Sequence, residues 1–172
     1  MPDLVWNFAA VIVGGLVTVM VTAYFANRQE MEKIRIETTL HLFAQYQSNE
    51  MVTSRNQANK ILRENKTREH PFSYGELYLQ LPSDQYDHIA RILQFFTQVA
   101  LLHRSKYLDR KLVQASLGKY FEFWHNEHFD MLWRISKEKG EPPREWVEPM
   151  AYLAKEMKLT HNNPAQPESQ DA

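Results

Sequence analysis

The chain opens with a long apolar run. Leu4 to Asn27 reads LVWNFAAVIVGGLVTVMVTAYFAN, without one charged side chain. A bilayer core about 30 Å thick takes about 20 mainly apolar helical residues, and a helix satisfies every backbone amide internally. The pattern therefore predicts a transmembrane anchor over residues 1–27. Trp6 and Tyr24 fall near its two ends, where amphipathic rings favour the headgroup zone. A signal peptide fits less well, because it wants a positive leader and a run of about 7–15 residues, and Asp3 precedes this one. Ala10, Gly14, Thr18 and Thr22 recur at four-residue spacing on one face of the span. Small residues so spaced let two helices approach closely.

Beyond Arg28 the hydrophobic positions keep a helical period. Met31, Ile34, Ile36, Leu40, Phe43 and Tyr46 form a broad apolar face. No Pro or Gly interrupts Leu16 to Asn49, so the anchor can continue unbroken into a stalk. Gln47-Ser48-Asn49 supplies N-cap residues for a second helix from about Glu50 to Glu64. Asn65 to Pro82 is aperiodic and reads as a long loop with a helical turn at Tyr74–Gln80. Ser83 or Asp84 caps a third helix ending near Arg104, with Tyr86, Ile89, Leu93, Phe96 and Ala100 as its stripe. Asp109 caps a fourth, predicted as one long helix from Arg110 to Glu138. Val113, Leu117, Phe121, Trp124, His128, Met131 and Ile135 give it a four-three rhythm. Gly140 and Pro142-Pro143 stop it. A last short helix begins at Arg144 or Pro149 and ends near Lys158. The expected fold is all-α: an N-terminal transmembrane helix, continuous with a cytoplasmic stalk, and an antiparallel helical bundle over 28–158. Residues 159–172 (160–172 read THNNPAQPESQDA) are expected to be a disordered tail.

Charge and composition narrow the function. All 20 Lys and Arg lie at or after Arg28, which by the positive-inside rule places the body in the cytoplasm and the N-terminus outside. From residue 28 onward 20 positive charges meet 20 negative ones. Nucleic-acid binding would need a basic excess, so no nucleic-acid partner is expected. The chain has no cysteine, which excludes disulfides, thiolate metal sites and a cysteine nucleophile.

Few residues suggest chemistry. Glu122, His125 and His128 form the one metal-like cluster; a Glu-x-x-His pair is the spacing used by di-iron helical bundles. Such a site needs two copies and further inward carboxylates, and one copy is present, so no cofactor is expected. Glycine-rich phosphate loops and hydrolase motifs are absent from the sequence. Arg55 falls within the apolar stripe Met51, Ala58 and Leu62. It predicts either a structural ion pair with a neighbouring helix or a snorkelling side chain. Phe72, Tyr74 and Tyr78 in the loop, with Phe123 and Trp133 off the stripe of the fourth helix, are candidate partner contacts.

Three local signatures carry a resemblance. They are Tyr46-Gln-Ser-Asn-Glu-Met51-Val-Thr-Ser-Arg55; Ile92-Leu-Gln-Phe95-Phe96; and Leu108-Asp109-Arg-Lys-Leu112-Val113 with Gly118, Tyr120 and Trp124 downstream. Over about residues 40–135 the chain resembles a group of uncharacterised bacterial and phage proteins, helical and anchored by a single membrane pass. The resemblance implies the bacterial inner membrane as location and no settled activity. The expected function is thus a membrane-anchored, non-enzymatic cytoplasmic module that binds a protein partner or a second copy of itself, with the lipid bilayer as its other partner. Two alternatives follow: a membrane-tethered metal enzyme using Glu122, His125 and His128, and a phage exclusion or defence effector at the inner membrane.

Overall fold

The computed structural model describes residues 2–157, with side chains from Met20 onward. Every regular element among them is helical. Helix α1 spans Pro2–Tyr46, α2 Asn49–Lys66, α3 Tyr74–Gln80 and α4 Ser83–Arg104. The chain continues through α5 (Arg110–Ser116), α6 (Gly118–Trp124), a π-helical turn (His125–Phe129), α7 (Asp130–Glu138) and α8 (Val147–Glu156).

Helix α4 is the centre of the body. Ile89, Ile92, Leu93, Phe95, Phe96, Val99, Ala100 and His103 are buried, so apolar residues occupy more than one of its faces. It packs mainly against α2 and α8. Phe96 is fully buried and meets Tyr46, Phe95, Phe121 and Phe129 at ring-centroid distances of 5.2 to 6.1 Å. Edge and tilted contacts of this kind add to the burial of each ring. Contrary to the expectation of a Ser83 or Asp84 cap, Pro82 holds the N-cap position of α4 and makes no side-chain cap bond. Its fixed φ sets the chain's entry into the helix.

Local chemistry sets the other helix starts. Ser48 accepts from the Met51 amide, Ser73 from Glu76 in a full capping box, and Asp109 from Leu112 at 2.7 Å. Each satisfies an amide that the helix itself leaves unpaired. The stretch between α2 and α3 is pinned rather than free. Buried Asn65 accepts from the Phe72 amide at 2.8 Å and donates to the Phe72 carbonyl at 3.0 Å.

The predicted fourth helix does not run straight. It breaks at Leu117, the residue between α5 and α6, where φ is −112°, and again at the π-helical turn. A π-turn absorbs one extra residue and so resets which positions face inward. The deepest positions move accordingly, from the expected Met131 and Ile135 to Phe129 and Leu132. Neither break is visible in the four-three rhythm.

The membrane assignment is corrected. Among the described residues no helix is long and apolar enough to cross a membrane. The physical reason lies in the charge of α1 beyond its start. Its described side chains pass from an uncharged stretch, Met20 to Asn27, into a charged one that a bilayer core does not take up. Arg28, Glu30, Glu32, Lys33, Arg35 and Glu37 follow at once. The single-pass topology, the outside N-terminus and the inner-membrane location lose their support with it. Ala10, Gly14 and Thr18 of the small-residue face, like residues 158–172, lie outside the residues whose side chains are described; Thr22 is exposed. Along α1, Met20, Val21, Tyr24, Phe25, Ile34, Ile36 and Leu40 are also exposed, and among its described side chains those of the last turns, from Thr39 through Leu42 to Tyr46, enter the core.

Candidate functional site

A groove of about 830 Å³ runs along α4, walled on its far side by α3 and by the segment Pro142–Trp146. The α4 wall is Tyr86, Ala90, Leu93, Gln94, Thr97, Gln98 and Leu101, residues at helical spacing on one face. From Tyr86 to Leu101 this wall is about 22 Å long. Buried Leu93 and the nearly buried Trp146 lie deepest, while Gln94, Gln98, Leu101, Tyr78 and Arg144 form an exposed rim.

The α3 wall is fixed by Glu141. Its carboxylate accepts from the Ser73 hydroxyl and from the Gly75 amide at 3.2 Å. Burial works against the charged form of Glu141, but bonds from Ser73, Gly75 and Ser136 outweigh it and hold the carboxyl below its usual range. Glycine at position 75 is what permits the approach, since a Cβ there would lie 2.8 Å from Glu141 Oε1. Beside it Lys139 pairs with Glu76 at 2.5 Å and donates to the Pro71 carbonyl at 3.2 Å. That lysine, with help from the Ser73 amide, holds Glu76 below the usual carboxylate range.

Aromatic rings build the interior. The Tyr86 hydroxyl donates to that of Tyr74 at 2.5 Å, and Tyr78 meets Tyr86 edge-on at 5.1 Å. Tyr74 also meets Trp146 at 5.7 Å and carries the Arg144 guanidinium over its ring at 5.7 Å. Burial, then the bond to Tyr74, pushes the Tyr86 phenol well above its ordinary range, so it stays a neutral hydroxyl. Thr97 has already committed its hydroxyl proton to the Leu93 carbonyl at 2.7 Å. No histidine or cysteine occurs among the described lining residues. Rigid rings, amides and one guanidinium make a surface suited to binding.

A family described as a domain of unknown function (DUF4760) matches residues 8–156. The chain belongs to the DUF4760 family. No curated protein and no solved structure matches it. Membership in DUF4760 covers α1 from Phe8 through α8. The whole of the groove falls within the DUF4760 match.

The residues singled out from sequence divide between several places. Tyr74 and Tyr78 line the groove. Phe72 is half-buried beneath Arg68, whose guanidinium lies 4.5 Å from its ring. Trp133 lines a second, smaller cavity of about 340 Å³ with His125, Phe129, Asp130 and Met150, and Trp146 separates the two cavities. Phe123 is 38 % exposed beside Trp124. Arg55 makes no ion pair among the described residues; its guanidinium sits over the Tyr46 ring at 4.2 Å. There it covers a buried phenol that accepts from Trp124 Nε1 at 3.0 Å. Burial raises the Tyr46 hydroxyl, and Arg55 and Trp124 partly offset that.

The metal-like trio does not converge. Glu122 is exposed, His125 meets Asn126 Oδ1 at 3.2 Å, and His128 Nε2 donates to Asn59 Oδ1 at 2.9 Å on α2. Among the described residues no group of three His, Asp or Glu is placed to hold a metal ion. His128 is fully buried with Nδ1 lacking a partner, and burial lowers its pKa to about 4. It is a neutral core residue.

Tyr86, Gln94, Gln98, Arg144 and Trp146 were not marked by the sequence. Tyr86 reads as a core position, and Pro142-Pro143 reads as a helix stop. Their shared role depends on the fold of 140–146 back over α4, for which the sequence carries no local signal.

Proposed function

We propose that the protein is a helical docking module whose groove between α3, α4 and Pro142–Trp146 receives a polypeptide segment of a protein partner. The observation that carries this is the groove itself: about 830 Å³, rich in tyrosine and tryptophan, and held open by the Glu141 bonds to α3. Such rings give large contact area at small entropic cost, and anchors of this type dominate interfaces. An enclosed small-molecule site would bury most of its ligand, whereas this trough is rimmed by exposed Gln94, Gln98 and Leu101 along about 22 Å of helix.

Peptide display on the full chain tests the reading. Peptides selected by the wild-type protein should lose at least tenfold in affinity for Gln94→Trp, which fills the groove from its exposed rim and leaves the core alone. Peptides that bind Gln94→Trp equally well, or a failure to select any, would sink it.

A further inference from the structure

We infer that the protein forms a parallel, in-register dimer in which α1 pairs with α1 of a second copy along Met20, Tyr24, Asn27, Met31 and Ile34. This goes beyond the groove, whose described lining includes no residue of α1. Three observations carry it.

The first is a helix without cover. From Met20 to Thr38 no side chain of α1 is buried; the buried ones begin at Thr39. A helix in water takes most of its stability from packing an apolar face. Met20 and Tyr24 are nevertheless 69 % and 64 % exposed, and Ile34 is 39 % exposed. Apolar side chains gathered on one exposed face mark an interaction surface.

The second is spacing. Met20, Tyr24, Asn27, Met31 and Ile34 alternate four and three apart. That repeat keeps one seam facing a partner helix, here over about 21 Å. The other exposed apolar residues of this stretch, Val21, Phe25 and Ile36, have Arg28 and Glu32 between them on their own face. Asn27 is the one amide in the seam. It meets its own copy across the two-fold axis only when the helices are parallel and in register. A polar residue so placed lowers stability and selects that alignment.

The third is charge complementarity. Arg28 and Arg35 flank the seam on one side, Glu30 and Glu37 on the other. Parallel helices set Glu30 of one copy against Arg35 of the second copy, five residues on, and the two-fold axis makes the pair twice. Antiparallel helices set arginine beside arginine and glutamate beside glutamate. Among the described residues Arg28, Glu30 and Arg35 have no ion-pair partner, and Glu37 has the exposed Lys33 at 3.7 Å. Exposed pairs add little to affinity; these choose the orientation. A single face therefore carries both halves of its own complement, which fits a second copy of this chain better than an unrelated helix.

The chain has no cysteine, so introduced ones report the pairing. Mild oxidation of full-length Asn27→Cys should give a disulfide-linked dimer, because the two positions face each other. Gln29→Cys, which points away from the seam, should couple at least about tenfold more slowly, since a disulfide needs close Cα atoms. In the Asn27→Cys background, Ile34→Lys should slow coupling about tenfold by placing a charge in the seam. Glu30→Arg or Arg35→Glu alone should slow it about fivefold by turning both pairs repulsive. A mixture of those two proteins should regain the rate of Asn27→Cys itself, because each then meets the opposite charge. None of these positions is in the core, so an unchanged melting temperature confirms an intact body. Equal coupling at positions 27 and 29, coupling at neither, or a mixture no faster than its parts overturns the inference. Each of those results leaves the docking groove standing.

Discussion

His128 shows how burial alone can fix a residue's chemistry. Its Nε2 is bonded to Asn59, its Nδ1 has no partner, and its pKa falls to about 4. The folded protein therefore resists a proton that the unfolded chain takes up near pH 6.5. Unfolded chains bind more protons between those values, so stability rises with pH there and is lost as pH falls from about 6.5 to about 4. The site's contribution is on the order of 3 kcal/mol. In urea melts, wild type should weaken on acidification by about that much more than His128→Gln; parallel curves would refute the assignment. His103, also lowered by burial, acts in the same direction in both proteins.

Two further residues are testable singly. Trp124→Phe removes the buried donor to the Tyr46 hydroxyl and should cost about 1–3 kcal/mol, since an unsatisfied buried group carries its full desolvation penalty. Adding Tyr46→Phe should recover part of that loss in a double-mutant cycle. Gly75→Ala pushes a methyl toward Glu141 and should lower the melting temperature by an amount matching about 1 kcal/mol, one lost hydrogen bond.

At the scale of elements, the π-helical turn decides which face of α7 is the core. Leu132 is fully buried and Met131 is 8 % exposed, although the straight-helix rhythm favours Met131. Leu132→Ala should therefore cost about 2–5 kcal/mol, as full burial without room to relax does, and clearly more than Met131→Ala. Equal losses in thermal melts would argue against the shifted register. Helix α5 depends on its cap in the same local way. Asp109→Ala removes the bond to Leu112 and should cost about 1 kcal/mol.

For the molecule as a whole, aromatic and aliphatic burial around α4 carries the stability, and charge contributes little. The pairs Lys66–Glu127, Arg104–Glu148 and Arg110–Glu156 have largely exposed partners. Exposed pairs are worth about 0–1 kcal/mol and are screened by salt. Raising sodium chloride to about 0.5 M should then move the denaturation midpoint only slightly, whereas Phe96→Ala at the aromatic centre should cost about 3–5 kcal/mol.

The sequence by itself determined what depends on near neighbours. Helix content, the start of α2 at Ser48, the cap at Asp109, the stop at Gly140 and the core face of α4 are set by residues a turn apart. It overreached with the membrane anchor, which was read from hydropathy and from the placing of Trp6 and Tyr24. Only the tertiary structure decided where the rings meet. Tyr74 and Tyr86 are twelve residues apart, Tyr46 and Trp124 seventy-eight, and Ser73 and Glu141 sixty-eight. Arg55 shows the difference at one residue: its place in an apolar stripe suggested a carboxylate partner or a snorkelling side chain, and the fold gave it the face of Tyr46. Periodicity records which side of a helix is apolar. It does not record which other helix will cover that side, because apolar burial is non-directional and any complementary face will serve until the chain has closed on itself.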